Sequence, residues 1–262
     1  MKVNAGKTIR FGDLSGHSDK HFLWVDTSVA SSIGAVKGLE NYRDVIGAIN
    51  SDCDAIVLNP GQLEHNADLL GGSHRASPIV RLDWTNYLRD KDFCLPAQKI
   101  QRVMISSVED ALVIGASAVV VRYTMGLDDD FEAENIESIS LTAKDAYRES
   151  LPIIVELCPV GYKVNDRNFD GTVELGVACM LEAGADALVL PQCKSETVKE
   201  IADWSEIPVI LYHKDIPDKE NIDKELQTGV CGILISENLF GFDDYVALLR
   251  QFSDLMHSIK QN

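Results

Sequence analysis

The sequence predicts a (β/α)8 barrel, read as a single domain over residues 1–262. Three observations carry this. Eight short apolar runs rich in β-branched residues recur along the chain, and helical patterns fill the gaps between them. No Pro/Gly/Ser-rich linker or break in composition divides the 262 residues. That length allows about 33 residues for each βα unit, as a barrel of this kind needs.

The predicted strands are His21–Asp26, Asp54–Asn59, Pro78–Asp83, Ser117–Tyr123, Pro152–Cys158, Asp186–Pro191, Pro208–His213 and Cys231–Ser236. Continuous apolar runs of this length suit strands covered on both faces, as in parallel sheets. After the first strand, Gly38–Asn50 puts Leu39, Tyr42, Val45, Ile46 and Ile49 on one helical stripe. After the second comes a polar stretch, Gly71–Arg75, read as a plain loop rather than one reaching over the barrel mouth with Arg75 as an anion contact. Leu88–Val103 is the longest irregular stretch and is expected to be an extended βα loop, with Val103–Ser106 a possible extra strand. Phe131–Glu149 reads as a long acidic amphipathic helix, and Asp128-Asp129-Asp130 before it as a helix cap rather than a cation loop. Asp170–Ala183 runs into Gly184, a helix stop, and Phe242–Ile259 closes the chain as a helix. The competing doubly wound sheet usually shows a G-x-G-x-x-G first turn, and the first strand here ends in VDTSVASSIG.

Composition excludes several functions. The formal charge is −17, the wrong sign for a nucleic-acid binder or for an anionic membrane surface. No apolar run approaches the roughly 20 residues of a membrane helix, and the N-terminus lacks a secretory apolar segment, so a cytoplasmic protein is expected. Six scattered cysteines without a C-x-x-C pair read as reduced thiols, most of them in the core.

In a barrel, chemistry sits at the C-terminal ends of the strands. Read in order, those ends offer Asp26, Asn59, Asp83, Arg122 with Tyr123, Glu156 with Cys158, Gln192, His213 with Lys214, and Glu237. Glu156 stands out. It lies inside the apolar run IIVELC, where a carboxylate must be paired, hydrogen-bonded or protonated.

Nearly the whole chain resembles the archaeal-type class I fructose-bisphosphate aldolases and their relatives. The resemblance is carried by LWVDTSVASSIGAVKGLENYRDVI, DAIVLNPGQLEH, the run from Tyr123 to Val164, EAGADALVLPQC and ISENLFGFDDYVALLRQFSDLMHS. It implies a barrel, carbon–carbon lyase activity without a cofactor, and a homo-oligomer. It also implies a Schiff-base lysine at the end of the sixth strand, a position that falls here on Val189. The family's fifth-strand tyrosine, a proton donor, is matched by Cys158, and a nearby tryptophan by Glu156. Its phosphate-binding Gly-Gly and Gly-Arg are matched by Tyr212-His213 and Ser236-Glu237. Of the family's catalytic set Asp26 is retained.

The expectation is therefore an aldolase-like lyase with altered residues, acting on a small non-phosphorylated carbonyl compound. Asp26, Glu156, Lys214 and Cys158 are the expected catalytic groups, with Lys214 the replacement amine. Asn59, Asp83, Arg122, Tyr123, Gln192, His213 and Glu237 are expected to line the substrate. Two alternatives stay open: a catalytically silent binder, and a metal-assisted enzyme using Asp26, Asp83, Glu156 and His213.

Overall fold

The computed structural model describes residues 4–15 and 21–258. Ten strands occur among them. They are β1 (Phe22–Asp26), β2 (Ala55–Leu58), β3 (Ser77–Arg81), β4 (Asp83–Thr85), β5 (Arg102–Met104), β6 (Ala118–Met125), β7 (Ile153–Pro159), β8 (Ala187–Leu190), β9 (Val209–His213) and β10 (Gly232–Ile235). Eight of these close a parallel barrel in the order β1-β2-β3-β6-β7-β8-β9-β10 and back to β1. These are the eight runs expected from sequence, shifted by a residue or two at their ends. The expected extra strand, Val103–Ser106, is met by β5. It pairs antiparallel with β4 as a hairpin outside the barrel.

Strand alternation sorts side chains into two cores. Inward positions, among them Phe22, Trp24, Val57, Ile79, Val120, Ile154, Val189, Ile210 and Leu234, fill the barrel. Outward positions join the surrounding helices in a larger apolar shell. Those helices are α2 (Ala30–Ile33), α3 (Tyr42–Ile49), α4 (Pro60–Leu70), α5 (Val108–Val113), α6 (Asp129–Arg148), α7 (Phe169–Ala183), α8 (Ser195–Trp204), α9 (Lys219–Leu226) and α10 (Tyr245–Ser258). Asp128 caps α6, accepting from the Phe131 amide at 2.9 Å, as the cap reading expected. Gly184 ends α7 with φ +98°, a backbone that only glycine adopts without strain. Gly232 serves a different need: a Cβ there would lie 2.2 Å from the Phe22 carbonyl oxygen, so β10 approaches β1 only without a side chain.

Two of the following features correct the expectations, while the loop after α4 agrees with its plain reading. A helix near the N-terminus, α1 (Ala5–Gly12), leads to Leu14, which plugs the N-terminal end of the barrel while its carbonyl accepts from Trp24 Nε1 at 3.1 Å. The Gly71–Arg75 loop follows α4 and enters β3, so it lies at the end of the barrel opposite the strand C-termini. Arg75 there donates to Asn50 Oδ1 at 2.6 Å. Of the six thiols only Cys53 and Cys158 are buried; Cys94 is exposed and the rest are half-buried.

Candidate active site

Alternation continues to the ends of the strands, and there the inward residues change from apolar to charged. Asp26, Arg81, Arg122 and Glu156 succeed Trp24, Ile79, Val120 and Ile154. Each is less than 5% exposed. Arg81 is the hub. Its Nη2 lies 2.8 Å from Asp26 Oδ2 and 2.8 Å from Glu156 Oε2, and its Nε donates to Ser28 Oγ at 2.6 Å. Ser28 in turn donates to Asp26 Oδ1 through both hydroxyl and amide, at 2.6 and 2.7 Å.

Arg122 flanks the hub, with Nε 3.3 Å from Glu156 Oε2 and Nη2 4.0 Å from Asp26 Oδ2. Asp83 closes the set. It accepts from the Arg122 amide at 2.7 Å and from Arg102 Nε at 2.6 Å, and its other oxygen lies 3.8 Å from Arg81 Nη1. Three guanidiniums thus meet three carboxylates, and the cluster is balanced in charge.

Electrostatics follow from that packing. Burial pushes the Glu156 carboxyl up, but Arg122 and Arg81 outweigh it and bring Glu156 below the usual carboxylate range. The Cys158 thiol donates toward Glu156 Oε1 at 3.7 Å. Burial, and then Glu156, push that thiol well above its ordinary range, so it stays protonated and is no nucleophile at neutral pH. Two phenols enter the same field, Tyr87 from the segment after β4 and Tyr212 from β9. Both are raised, first by burial, and the Arg122 guanidinium lies 5.8 Å from the centre of the Tyr87 ring.

Glu237 opens the 3-10 turn Glu237–Gly241 after β10. Burial and the neighbouring Asp26 raise its carboxyl above the ordinary 4.5. A carboxyl raised in this way gives up its proton at a higher pH in the folded chain than in the unfolded one. Its stabilising contribution is complete below about 4.5 and is lost as pH rises through the folded value. Glu237→Gln should therefore raise the melting temperature at pH 7 and leave it unchanged near pH 4. Thermal scans at the two pH values check this, and a loss of stability at pH 7 would contradict it.

The remaining expected site residues lie elsewhere. His213 and Tyr123 occupy outward positions on their strands. His213 is buried with its Nε2 2.9 Å from Glu225 on α9 and its Nδ1 3.0 Å from Gln192. Tyr123 donates to Glu132 on α6 at 3.3 Å. His213 therefore does not converge with Asp26, Asp83 and Glu156 as the metal-assisted alternative requires. Asn59 opens α4, its amide donating to Gln62 and its side chain to the Ser28 carbonyl, both at 2.7 Å. Lys214 is exposed; its carbonyl accepts from Ser236 Oγ at 2.6 Å and from Asn238 at 2.9 Å. Lys194 caps α8 and pairs with Asp170 at 2.7 Å.

Sequence reasoning missed Arg81, Ser28, Arg102 and Tyr87. For Arg81 the signal was present: it sits inside the apolar run PIVRL as Glu156 sits inside IIVELC.

The sequence profile described as "DeoC/LacD family aldolase" matches residues 21–204. The chain belongs to the DeoC/LacD aldolase family. Within the family it is 25% identical to the 2-amino-4,5-dihydroxy-6-oxo-7-(phosphonooxy)heptanoate synthase of Streptomyces griseus, over 98% of this chain and 93% of that protein. It is 28% identical to the class 1 fructose-bisphosphate aldolase of Thermoproteus tenax, over 59% of this chain and 61% of that one. Its barrel superimposes on a solved archaeal fructose 1,6-bisphosphate aldolase with a TM-score of 0.78 at 21% identity, covering 97% of this chain and 100% of that one. Another archaeal fructose-1,6-bisphosphate aldolase, solved with its catalytic lysine bound to a carbinolamine intermediate, gives 0.78 at 20% identity, over 96% and 99% of the two chains. In this member Val189, beside Glu156 in the β7–β8 register, fills the inward place on the sixth barrel strand, and no amine enters the barrel there. Among the described residues, no helix is long and apolar enough to cross a membrane.

Proposed function

We propose that this family member carries out aldol or retro-aldol cleavage, or a closely related lyase reaction, on a small non-phosphorylated carbonyl compound at the barrel mouth, without an imine on the sixth strand. One observation carries the reading: the Glu156 carboxylate is held between Arg81 and Arg122 where the strands end. In retro-aldol cleavage a carboxylate takes the proton of the β-hydroxyl. The carbon–carbon bond then breaks, and its electron pair passes to an enolate that is reprotonated at carbon. Glu156 and Asp26 are the acid–base groups, and the protonated Cys158 thiol is a proton source beside Glu156. Arg122 stabilises the enolate oxygen, the task an iminium performs in imine chemistry, because fixed positive charge aimed at developing negative charge acts strongly in a dry site.

Charge argues against a phosphorylated substrate. Glu237 adds a negative group to a balanced cluster, so a phosphate dianion would meet repulsion at the rim. Lys214 is exposed and lacks the burial that distinguishes imine-forming lysines, so it is assigned no imine in this reading. The substrate is read as a small molecule rather than nucleic acid, and the protein as a homo-oligomer by family resemblance. Cleavage assays over a panel of short hydroxyketones test the reaction. Activity is expected to survive both Lys214→Met and borohydride treatment in the presence of substrate. A reduced lysine adduct accompanied by loss of activity would overturn the reading.

A second reading, a barrel that binds a metabolite without turning it over, has its own support. Each buried carboxylate at the mouth already faces an arginine. It predicts that Glu156→Gln and Asp26→Asn leave the biological activity intact.

A further inference from the structure

Inside the network Arg81 Nη1 and Asp83 Oδ1 make no hydrogen bond; at its edge, facing the mouth, two groups of opposite sign also lack full partners. Arg122 is 3% exposed, yet its hydrogen bonding is thin. Nε is 3.4 Å from Glu156 Oε1, Nη2 comes no closer than 4.0 Å to Asp26, and among the described residues nothing accepts from Nη1. A guanidinium carries five N–H donors in a fixed fork, and the Arg122 Nη groups, which are not among the buried unpartnered atoms, are open to an acceptor from the mouth. Tyr87 lies against the guanidinium and narrows the approach to it.

Glu237 is the opposite case. The β10–β1 register sets Ile235 beside Val25, which carries the Glu237 turn over Asp26. Its half-buried carboxyl has no cation within ion-pair distance among the described residues, and it shares the mouth with Asp26, Glu156, Arg122 and the Tyr212 phenol.

We propose that the ligand of the mouth is a small amino-carbonyl compound, with its carbonyl or carboxylate oxygen on the open fork of Arg122 and its ammonium on Glu237. This rests on the mouth being the site of carbonyl chemistry, as argued above. Charge selects the ammonium. Asp26, Asp83 and Glu156 are matched by Arg81, Arg102 and Arg122, so Glu237 is the uncompensated group. A ligand cation neutralises it, a hydroxyl leaves the charge in place, and a phosphate adds to it. Geometry selects the oxygen, because the open Arg122 donors suit an acceptor.

Calorimetric titration of the full chain with aminoacetone and with hydroxyacetone separates the possibilities, since the two compounds differ in little but the ammonium. Aminoacetone is expected to bind about tenfold more tightly or better, the ratio expected for one charge-assisted contact. Glu237→Gln is expected to bring the ratio of the two affinities close to one. Arg122→Lys, which keeps the charge but loses the fork, is expected to weaken both compounds alike. Equal affinities in the native protein, or an undiminished preference in Glu237→Gln, would overturn the ammonium assignment and leave the carbonyl reading standing. Unchanged binding in Arg122→Lys would overturn the oxygen assignment. Failure of both compounds to bind would overturn the carbonyl reading, and this inference with it.

Discussion

Arg81→Met is expected to destabilise the protein by about 3–5 kcal/mol, the loss typical when one partner of a buried ion cluster is removed. The reason lies in what stays behind. Asp26 and Glu156 would each lose a contact of 2.8 Å, Ser28 would lose the donor on its hydroxyl, and all three would remain out of water. Methionine fills similar space but offers no hydrogen, so the loss is electrostatic rather than a cavity effect. Urea unfolding followed by circular dichroism measures it. The double variant Arg81→Met/Glu156→Leu is expected to recover part of the loss, because removing the second charge removes an uncompensated group. A loss below about 1 kcal/mol for Arg81→Met, the range of surface pairs, would show that the cluster is solvated.

The same cluster sets the acid limit of stability. Glu156 lies below its ordinary 4.5 because Arg122 and Arg81 outweigh the effect of burial. Its stabilising contribution is thus present above that value and is lost as pH falls through the folded one.

Glu156→Gln is expected to slow catalysis by about 10²–10⁴, the usual contribution of a positioned acid–base group. Glutamine keeps the shape and can still accept from arginine, but it takes no proton. A purely structural carboxylate would give a different pattern: lower stability and an unchanged turnover per folded molecule. Turnover measured together with the folded fraction decides between them.

Most of the barrel was legible because burial on both faces writes each strand as a short apolar run, and glycines such as Gly184 mark where helices stop. The mouth was harder. A strand end was read as one polar residue, but only alternate residues face inward. His213 and Tyr123 therefore entered the list of candidates although they point to the helices. Arg81 was passed over although it lies one alternation beyond Ile79. Counting inward from the apolar positions of each strand would have found it and set His213 aside in favour of Tyr212. Tyr87 had no such signal. It stands in the long irregular segment that joins β4 to β5, and only the folded chain brings its ring to Arg122. The N-terminal plug at Leu14 was hidden because α1 is short and carries Lys7, Thr8 and Arg10 among its eight residues.

The central claim is carbonyl chemistry at the mouth without an imine. Hydrogen exchange at the α-carbon tests it most directly, because enolate formation is the step shared by aldol and retro-aldol reactions. Hydroxyacetone or aminoacetone incubated with the protein in deuterated water and followed by proton NMR should lose its α-proton signals faster than in buffer alone, with the same rate after borohydride treatment. No acceleration, or an acceleration abolished by borohydride together with a reduced adduct on a lysine, would contradict it.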